Sequence, residues 1–248
     1  LVIERKDVLQ SLSPYLAVDG YFAKKEFVNP VINKTGLHLV CKLRCDANLS
    51  YIYHGKPSGK RGRPKTLDGK INMAQIEKRR VKLCHEYDTV KVYEGIVHSK
   101  TLKRKIKLAY LERWKDSKYT GQYVVLFSTD LELDGQRIYQ YYKCRFQVEF
   151  LFRDTKQFTG LTQCQARSEN KMHFHFNTSL TTVSIAKAVY FLPLGKQDKQ
   201  SFSMSDVKTL HLNKIMADRI FSNLELDLSC KKIRRIYRDA LWLGKIAC

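Results

Sequence analysis

Tyr142, Arg145, Glu149 and Lys156 stand three, four and seven residues apart. At about 100° per residue, those steps bring all four within roughly 60° of arc on an α-helix. The spacing predicts a long helix from Leu131 to about Gln157, with a phenol, a guanidinium, a carboxylate and an ammonium on one stripe. Phe146, Phe150 and Leu151 give the helix apolar packing surface, and Gly160 ends it. Just before it, Tyr123–Ser128 (YVVLFS) reads as a buried strand, followed by Asp130. The plainest use of the stripe is a solvated helix face with an i,i+4 Arg–Glu pair. Whether it does chemistry depends on what the rest of the chain brings to it.

Upstream, Tyr15–Val18 is a short apolar run ending at Asp19-Gly20, which places a carboxylate at the C-terminal tip of a strand. Lys24 to Lys34 predicts a helix that tolerates Pro30 poorly and stops at Gly36. Leu37–Leu43 (LHLVCKL) is strand-like. Strand, helix, strand in that order points to a βαβ unit and an α/β class. From Asp46 to about Tyr119 the character changes. Gly55–Lys70 is rich in Gly, Pro, Lys and Arg and cannot build a core element. Gln75–Leu83 has the look of a helix start, while Val90–Tyr93, Gly95–His98 and Ile106–Tyr110 look like antiparallel strands with basic turns. Residues 50–119 are therefore expected to form a β-rich insertion in a core made of 1–49 and 120–200. A helical region, 201–248, is expected to follow. Residues 169–192 predict a largely apolar helix, and 204–248 two amphipathic helices with a basic stretch at Lys231–Arg235. No internal repeat is present.

Charge narrows the partner. The 248 residues hold 45 Lys+Arg against 24 Asp+Glu, a net +21, and 44% are hydrophobic, enough for a core. Such an excess favours nucleic acid, because neutralising phosphates releases counterions. Lys60-Arg61-Gly62-Arg63-Pro64-Lys65 matches the core of an AT-hook, in which Arg61, Arg63 and Lys65 would lie in a narrow minor groove. A basic loop touching phosphates reads equally well from the same residues. The seven cysteines are odd in number and lack a compact framework, so reduced thiols and an intracellular compartment are expected. Cys41 and Cys45, four apart on a strand, would share a face, as buried thiols more readily than as half a metal site. His173 and His175 do not share a helical face; one reads as core and one as near a site, with little case for zinc. No signal peptide or membrane span is evident, since the apolar stretch His175–Leu194 is broken by Asn177, Lys187 and several Ser/Thr. The chain opens on Leu1 and reads as the C-terminal part of something longer.

Asp19 and Glu149 are the candidate metal ligands. Hard cations take carboxylate oxygens. Phosphoryl transfer on DNA commonly uses two Mg²⁺ ions about 4 Å apart, serving the attacking and leaving oxygens. A strand-tip Asp and a helical Glu facing it are suited to hold them, although an Asp at a strand end is more often a turn former.

The spacing Tyr142-x2-Arg145-x3-Glu149-x6-Lys156 resembles the Tyr-Arg-Glu-Lys signature of bacterial insertion-sequence transposases of the DDE class. YLAVDGYFAKKEFV, with Asp19, is similar to the motif around that family's second catalytic aspartate, and VVLFSTDLELDGQRIYQYY and CQARSENKMHFHF resemble the segments flanking the signature. The resemblance covers about residues 12–195. It implies a ribonuclease-H-like core whose N-terminal strands are missing here, two Mg²⁺ (or Mn²⁺) ions on three carboxylates, and a β-rich insertion at 50–120. It also implies nicking of transposon-end DNA by water and later strand transfer from the freed 3′-hydroxyl. Asp19 would be the second aspartate and Glu149 the glutamate. Tyr142, Arg145 and Lys156 would contact phosphates, and Trp114 is a candidate to stack on a flipped base. DNA ends and target DNA would be the partners, a homodimer the active form, and the bacterial cytoplasm at the nucleoid the location, with no membrane.

The first aspartate of the family is not matched. Asp7 stands in a poor context, and Asp130 could serve only if the placement of Asp19 is wrong. The chain alone is therefore expected to be inactive or feeble. A structure-selective nuclease of the same fold, or a DNA-binding remnant without catalysis, are the rival readings.

Overall fold

The computed structural model of the chain describes residues 1–55, 64–192 and 202–244. The chain divides into two compact units, Leu1–Phe146 and Gln147–Cys248.

The first unit is built on an eight-stranded sheet. Its elements are α1 (Lys6–Leu12), β1 (Tyr15–Val18), α2 (Lys25–Thr35), β2 (His38–Leu43), β3 (Leu49–Ile52) and β4 (Leu67–Lys70). Then come β5 (Lys82–Tyr87), β6 (Val90–Ser99), β7 (Arg104–Lys115), β8 (Lys118–Ser128) and α3 (Gly135–Cys144). The strand order is β1-β2-β8-β7-β6-β3-β4, with β5 also pairing β6. β1 and β2 are parallel, and every other pairing is antiparallel. Alternation along the strands serves two cores, because successive side chains point to opposite faces. Leu39 and Cys41 of β2 join Val125, Phe127, Ile106, Leu108 and Tyr110 on the face that receives Val28 and Val31 of α2. Val40 joins Ala109, Leu111 and Leu126 on the other face, where Ile138 and Tyr142 of α3 pack.

The strand–helix–strand order expected at the start is present. α2 accommodates Pro30 inside it and closes on Gly36, whose φ of 67° supplies the left-handed cap. The strands of 50–119 lie in the same sheet as β1, β2 and β8, so this segment extends the sheet rather than layering on it. Two expected short strands merge into β6, and β7 and β8 form a long hairpin. Its two-residue turn, Asp116 and Ser117, has positive φ at both positions, which matches the twist of the flanking strands. Gln75–Leu83 is not an α-helix: two 3₁₀ turns, Met73–Gln75 and Lys78–Arg80, lead into β5. Met73, Ile76 and Val81 join the core there, and cross-strand pairing with β6 outweighs local helix preference.

α3 is fixed at its start by the sheet. The Asp134 side chain caps it, accepting from Arg137 N–H at 2.8 Å. The backbone N–H of Gly135 donates to Glu94 Oε2 of β6 at 2.7 Å, and Glu94 also pairs with Lys107 at 3.3 Å. A Cβ on Gly135 would stand 3.0 Å from Cys84 Sγ and 3.1 Å from Glu94 Cβ. Only glycine lets the helix start this close to the sheet.

Tyr15 of β1 donates to Asp130 Oδ2 at 2.6 Å. The bond to Asp130 and burial push the Tyr15 phenol up to about 12. Burial opposes the Asp130 charge, but the Tyr15 hydroxyl and the Glu132 N–H outweigh it and hold that carboxyl below its usual range.

The second unit is helical. α4 (Phe146–Phe158), α5 (Glu169–Phe191), α6 (Met204–Asn223) and α7 (Lys231–Leu241) make it up, α4 starting one residue before the division. Gly160, at φ 70°, ends α4. α4 and α5 are tied by a reciprocal pair: Thr159 Oγ1 donates to the Ser179 carbonyl and Ser179 Oγ to the Thr159 carbonyl, both at 3.0 Å. A ring nitrogen of His175 reaches the Gly160 carbonyl at 2.9 Å, which makes this histidine a structural donor. Among the described residues no helix is long and apolar enough to cross a membrane.

Two outcomes follow. Tyr15→Phe should destabilise the first unit by roughly 1–2 kcal/mol in denaturant melts. In the wild type this contribution should fade below about pH 4, where Asp130 protonates, and between about pH 10 and 12, where only the unfolded phenol ionises freely. Gly135→Ala should destabilise by about 1–3 kcal/mol, and Cys84→Ala should return part of the loss in a double-mutant cycle.

Candidate active site and nucleic-acid interface

Asp19 follows the last residue of β1 and caps the 3₁₀ turn Gly20–Phe22, its Oδ1 accepting from Gly20 N–H at 2.5 Å. Parallel pairing sets Val18 against Cys41, so Asp19 lies beside the C-terminal end of β2. Cys41 Sγ donates to the Asp19 carbonyl at 3.2 Å and anchors the tip from below. Burial pushes the Cys41 thiol up to about 12, with the Asp19 charge adding to the effect. A Cβ on Gly20 would approach the Lys42 carbonyl to 3.2 Å. An open groove of about 430 Å³ starts here, lined by Asp19, Gly20, Lys42, Arg44, Cys45 and Tyr123 among others.

Tyr142, on α3, lies within reach of the Asp19 charge. It is buried, and burial raises its phenol pKa; the Asp19 charge raises it further, while the Arg145 guanidinium and its hydrogen bond oppose the rise. Arg145 sits 5.6 Å from the Tyr142 ring centroid and 4.7 Å from that of Phe146. Asp19, Tyr142 and Arg145 thus share one electrostatic neighbourhood in the first unit, although over a hundred residues separate the first from the others.

The expected single helix is divided. α3 ends at Cys144, α4 begins at Phe146, and Arg145 N–H bonds the Tyr142 carbonyl at 3.1 Å, the tighter i→i−3 pattern. Glu149 and Lys156 belong to the second unit. They occupy the first and last turns of α4, both exposed, where each charge complements the helix dipole. No Gly or Pro lies between Gln136 and Thr159, so the residues give no sign of the break.

Asp130 does not share the Asp19 site. β8 runs antiparallel to β2, so its C-terminal end meets the start of β1, where Tyr15 holds the carboxylate. The length of β1, about 13 Å, separates the two ends. Trp114, in β7 near the hairpin turn, is half-buried: Lys91 Nζ stands 4.2 Å from its ring centroid, and Tyr119 lies 6.1 Å across the hairpin. Lys65 is engaged with Asp68 at 2.7 Å and lies over the Tyr53 ring. Arg61 and Arg63 lie outside the described residues. Cys41 and Cys45 do not share a face, because β2 stops at Leu43; Cys41 is buried and Cys45 exposed. His173 pairs with Glu169 at 3.5 Å on the surface. Among the described residues no group of three or more His, Cys, Asp and Glu is placed to hold a metal ion.

Lys42 and Arg44 are the groove residues that the sequence reading passed over. The signal was available: if β1 and β2 pair in parallel, residues at the end of β2 must flank the tip of β1.

The Transposase DDE domain family matches residues 4–185. The chain belongs to the DDE transposase family. No curated protein matches it. The matched segment contains both Asp19 and the whole of Tyr142 to Lys156. Membership makes DNA the substrate class of this transposase and DNA rearrangement its general activity, and enzymes of the family generally use divalent metals.

The burial of Cys41 gives a direct check on the site's architecture. At pH 8, alkylation followed by mass spectrometry should label Cys45 of the native transposase quickly and leave Cys41 intact until the protein unfolds. Equal labelling of the two would mean that the Asp19 tip is not packed as described.

Proposed function

We propose that the chain is the catalytic region of a bacterial insertion-sequence transposase with the Tyr-Arg-Glu-Lys signature, cleaving transposon-end DNA and joining it to a target. The observation that supports this best is that the Asp19 charge reaches the Tyr142 phenol, whose ring lies against Arg145. In this reading, residues 1–49 and 120–200 supply a ribonuclease-H-like core. Residues 50–119 are an insertion whose strands lengthen the core sheet, and 201–248 form a helical region that serves a homodimer.

Asp19 and Glu149 are the proposed holders of Mg²⁺ or Mn²⁺. The donor chemistry fits: both are carboxylates, and the Gly20 N–H on one oxygen of Asp19 orients the other. The bound cation would supply Lewis acidity to the attacking and leaving oxygens of the phosphodiester. The chain's own groups do the rest. Arg145, braced against the Tyr142 and Phe146 rings, presents a fixed guanidinium to a phosphate, and Lys156 offers a second positive charge on α4. Tyr142, kept protonated, remains a hydrogen-bond donor to a phosphate oxygen. The water-driven nick and the later attack by the freed 3′-hydroxyl both require that DNA strand held in line. Trp114 stacks on a displaced base, and Arg61, Arg63 and Lys65 follow the minor groove of the flanking duplex.

The test uses DNA affinity at constant ionic strength. Carboxylates repel phosphates until a cation bridges them, so Mg²⁺ should tighten binding of duplex DNA to the wild type. Asp19→Asn and Glu149→Gln should each tighten metal-free binding and abolish the Mg²⁺ response, and should remove any metal-dependent nicking. A full Mg²⁺ response in Asp19→Asn contradicts the assignment.

A further inference from the structure

α7 lies beyond the matched segment, in the second unit. Its sequence is KKIRRIYRDAL. At about 100° per residue, Lys231, Arg234, Arg235 and Arg238 fall within roughly 100° of arc, and Ile233, Ile236, Tyr237 and Ala240 take the opposite side, with Leu241 beside Arg234 at the edge. All four cations are exposed.

The helix is pinned with that face outward. Tyr237 donates to Asp218 Oδ1 of α6 at 2.5 Å, and its ring meets Phe221 edge-on at 5.3 Å. Asn213 Nδ2 donates to the carbonyls of Leu241 at 3.1 Å and Leu243 at 2.7 Å, closing the C-terminal end of α7 onto α6. Arg234 is itself a brace, donating to the carbonyls of Leu228 at 3.0 Å and Ser229 at 3.3 Å. The charges are barely neutralised from within. Arg235 approaches Asp239 only to 3.9 Å, with both side chains over 70% exposed (80% and 73%), a pairing worth little. No carboxylate pairs with Lys231 or Arg238 among the described residues.

We propose that the outer face of α7 docks the phosphate backbone of duplex DNA, as a sequence-independent surface. Charge complementarity identifies the occupant. Lys231 to Arg238 spans about 10.5 Å of helix axis, the length of about three base-pair rises of 3.4 Å along a duplex. A basic amphipathic helix can also lie on an anionic membrane, but that mode buries the apolar side in lipid. Here α6 takes Tyr237 and the C-terminal end of α7; of the α7 apolar residues only Ile236 is more than half exposed, at 52%, with Trp242 and Leu243 exposed just beyond the helix. The cationic face is what remains to bind.

The surface stands independently of the roles given to Asp19 and Glu149, and its test separates the two. The whole chain is titrated onto two unrelated labelled duplexes of about 30 base pairs across a salt series, by fluorescence anisotropy. The triple variant Lys231→Gln, Arg235→Gln, Arg238→Gln should lower the slope of log K against log salt by about 2–3 on both duplexes. Its Mg²⁺ response should stay at the wild-type level. The charge-keeping variant Lys231→Arg, Arg235→Lys, Arg238→Lys should retain the wild-type slope, which excludes a packing effect. An unchanged slope in the glutamine variant overturns the proposal. So does a loss confined to one duplex, an equal loss in the charge-keeping variant, or a loss of binding to anionic vesicles with duplex binding intact.

Discussion

The parallel register of β1 on β2, beside an antiparallel β8, is the constraint on which the site depends. It places the C-terminal tip of β1 against the end of β2, and so puts Asp19 over Cys41 and next to Lys42. It also sends the end of β8 to the opposite rim, where Tyr15 takes Asp130 out of contention. α3 then crosses the sheet between two fixed points. The Glu94–Gly135 contact sets its start, and Tyr142, packed with Val40 and Leu126, sets its end. Moving either anchor would move the Tyr142 hydroxyl relative to Asp19.

Much of this was legible because it is local. The βαβ order, the strand tip at Asp19, the Gly36 stop and the buried run Tyr123–Ser128 are each written in a few adjacent residues. The signature spacing marked Tyr142 to Lys156 as helical, and two helices cover that segment apart from Arg145. What it could not show is that the backbone tightens at Arg145 and that the division between compact units follows Phe146. Neither has a Gly or Pro to mark it. The Glu94–Gly135 contact was hidden for a different reason: its partners are 41 residues apart, and only the completed sheet brings them together. The helix expected from Gln75 failed because pairing with β6 is a tertiary effect that local preference does not contain.

Electrostatics explains how a strongly basic transposase keeps carboxylates at useful positions. Most acids described here are spent on structure: Asp134 on a helix cap, Glu94 on a helix start, Asp68 between Lys65 and Arg80, Asp130 on a tyrosine. Asp19 is different, because it is exposed at a strand tip with no ion pair among the described residues and with cationic residues lining the groove beside it. A carboxylate in that setting suits a hard cation and an approaching phosphate together. In the proposal made above, the cations of α7 serve differently, adding attraction to phosphates that needs no precise geometry.

The proposed function turns on Asp19 and Glu149 holding a common cation. Crystals of the transposase soaked in Mn²⁺ and measured at the manganese absorption edge test it most directly. The account predicts an anomalous peak about 2.1 Å from carboxylate oxygens of both residues. A peak on one carboxylate with the other remote, or no peak on either, would contradict it.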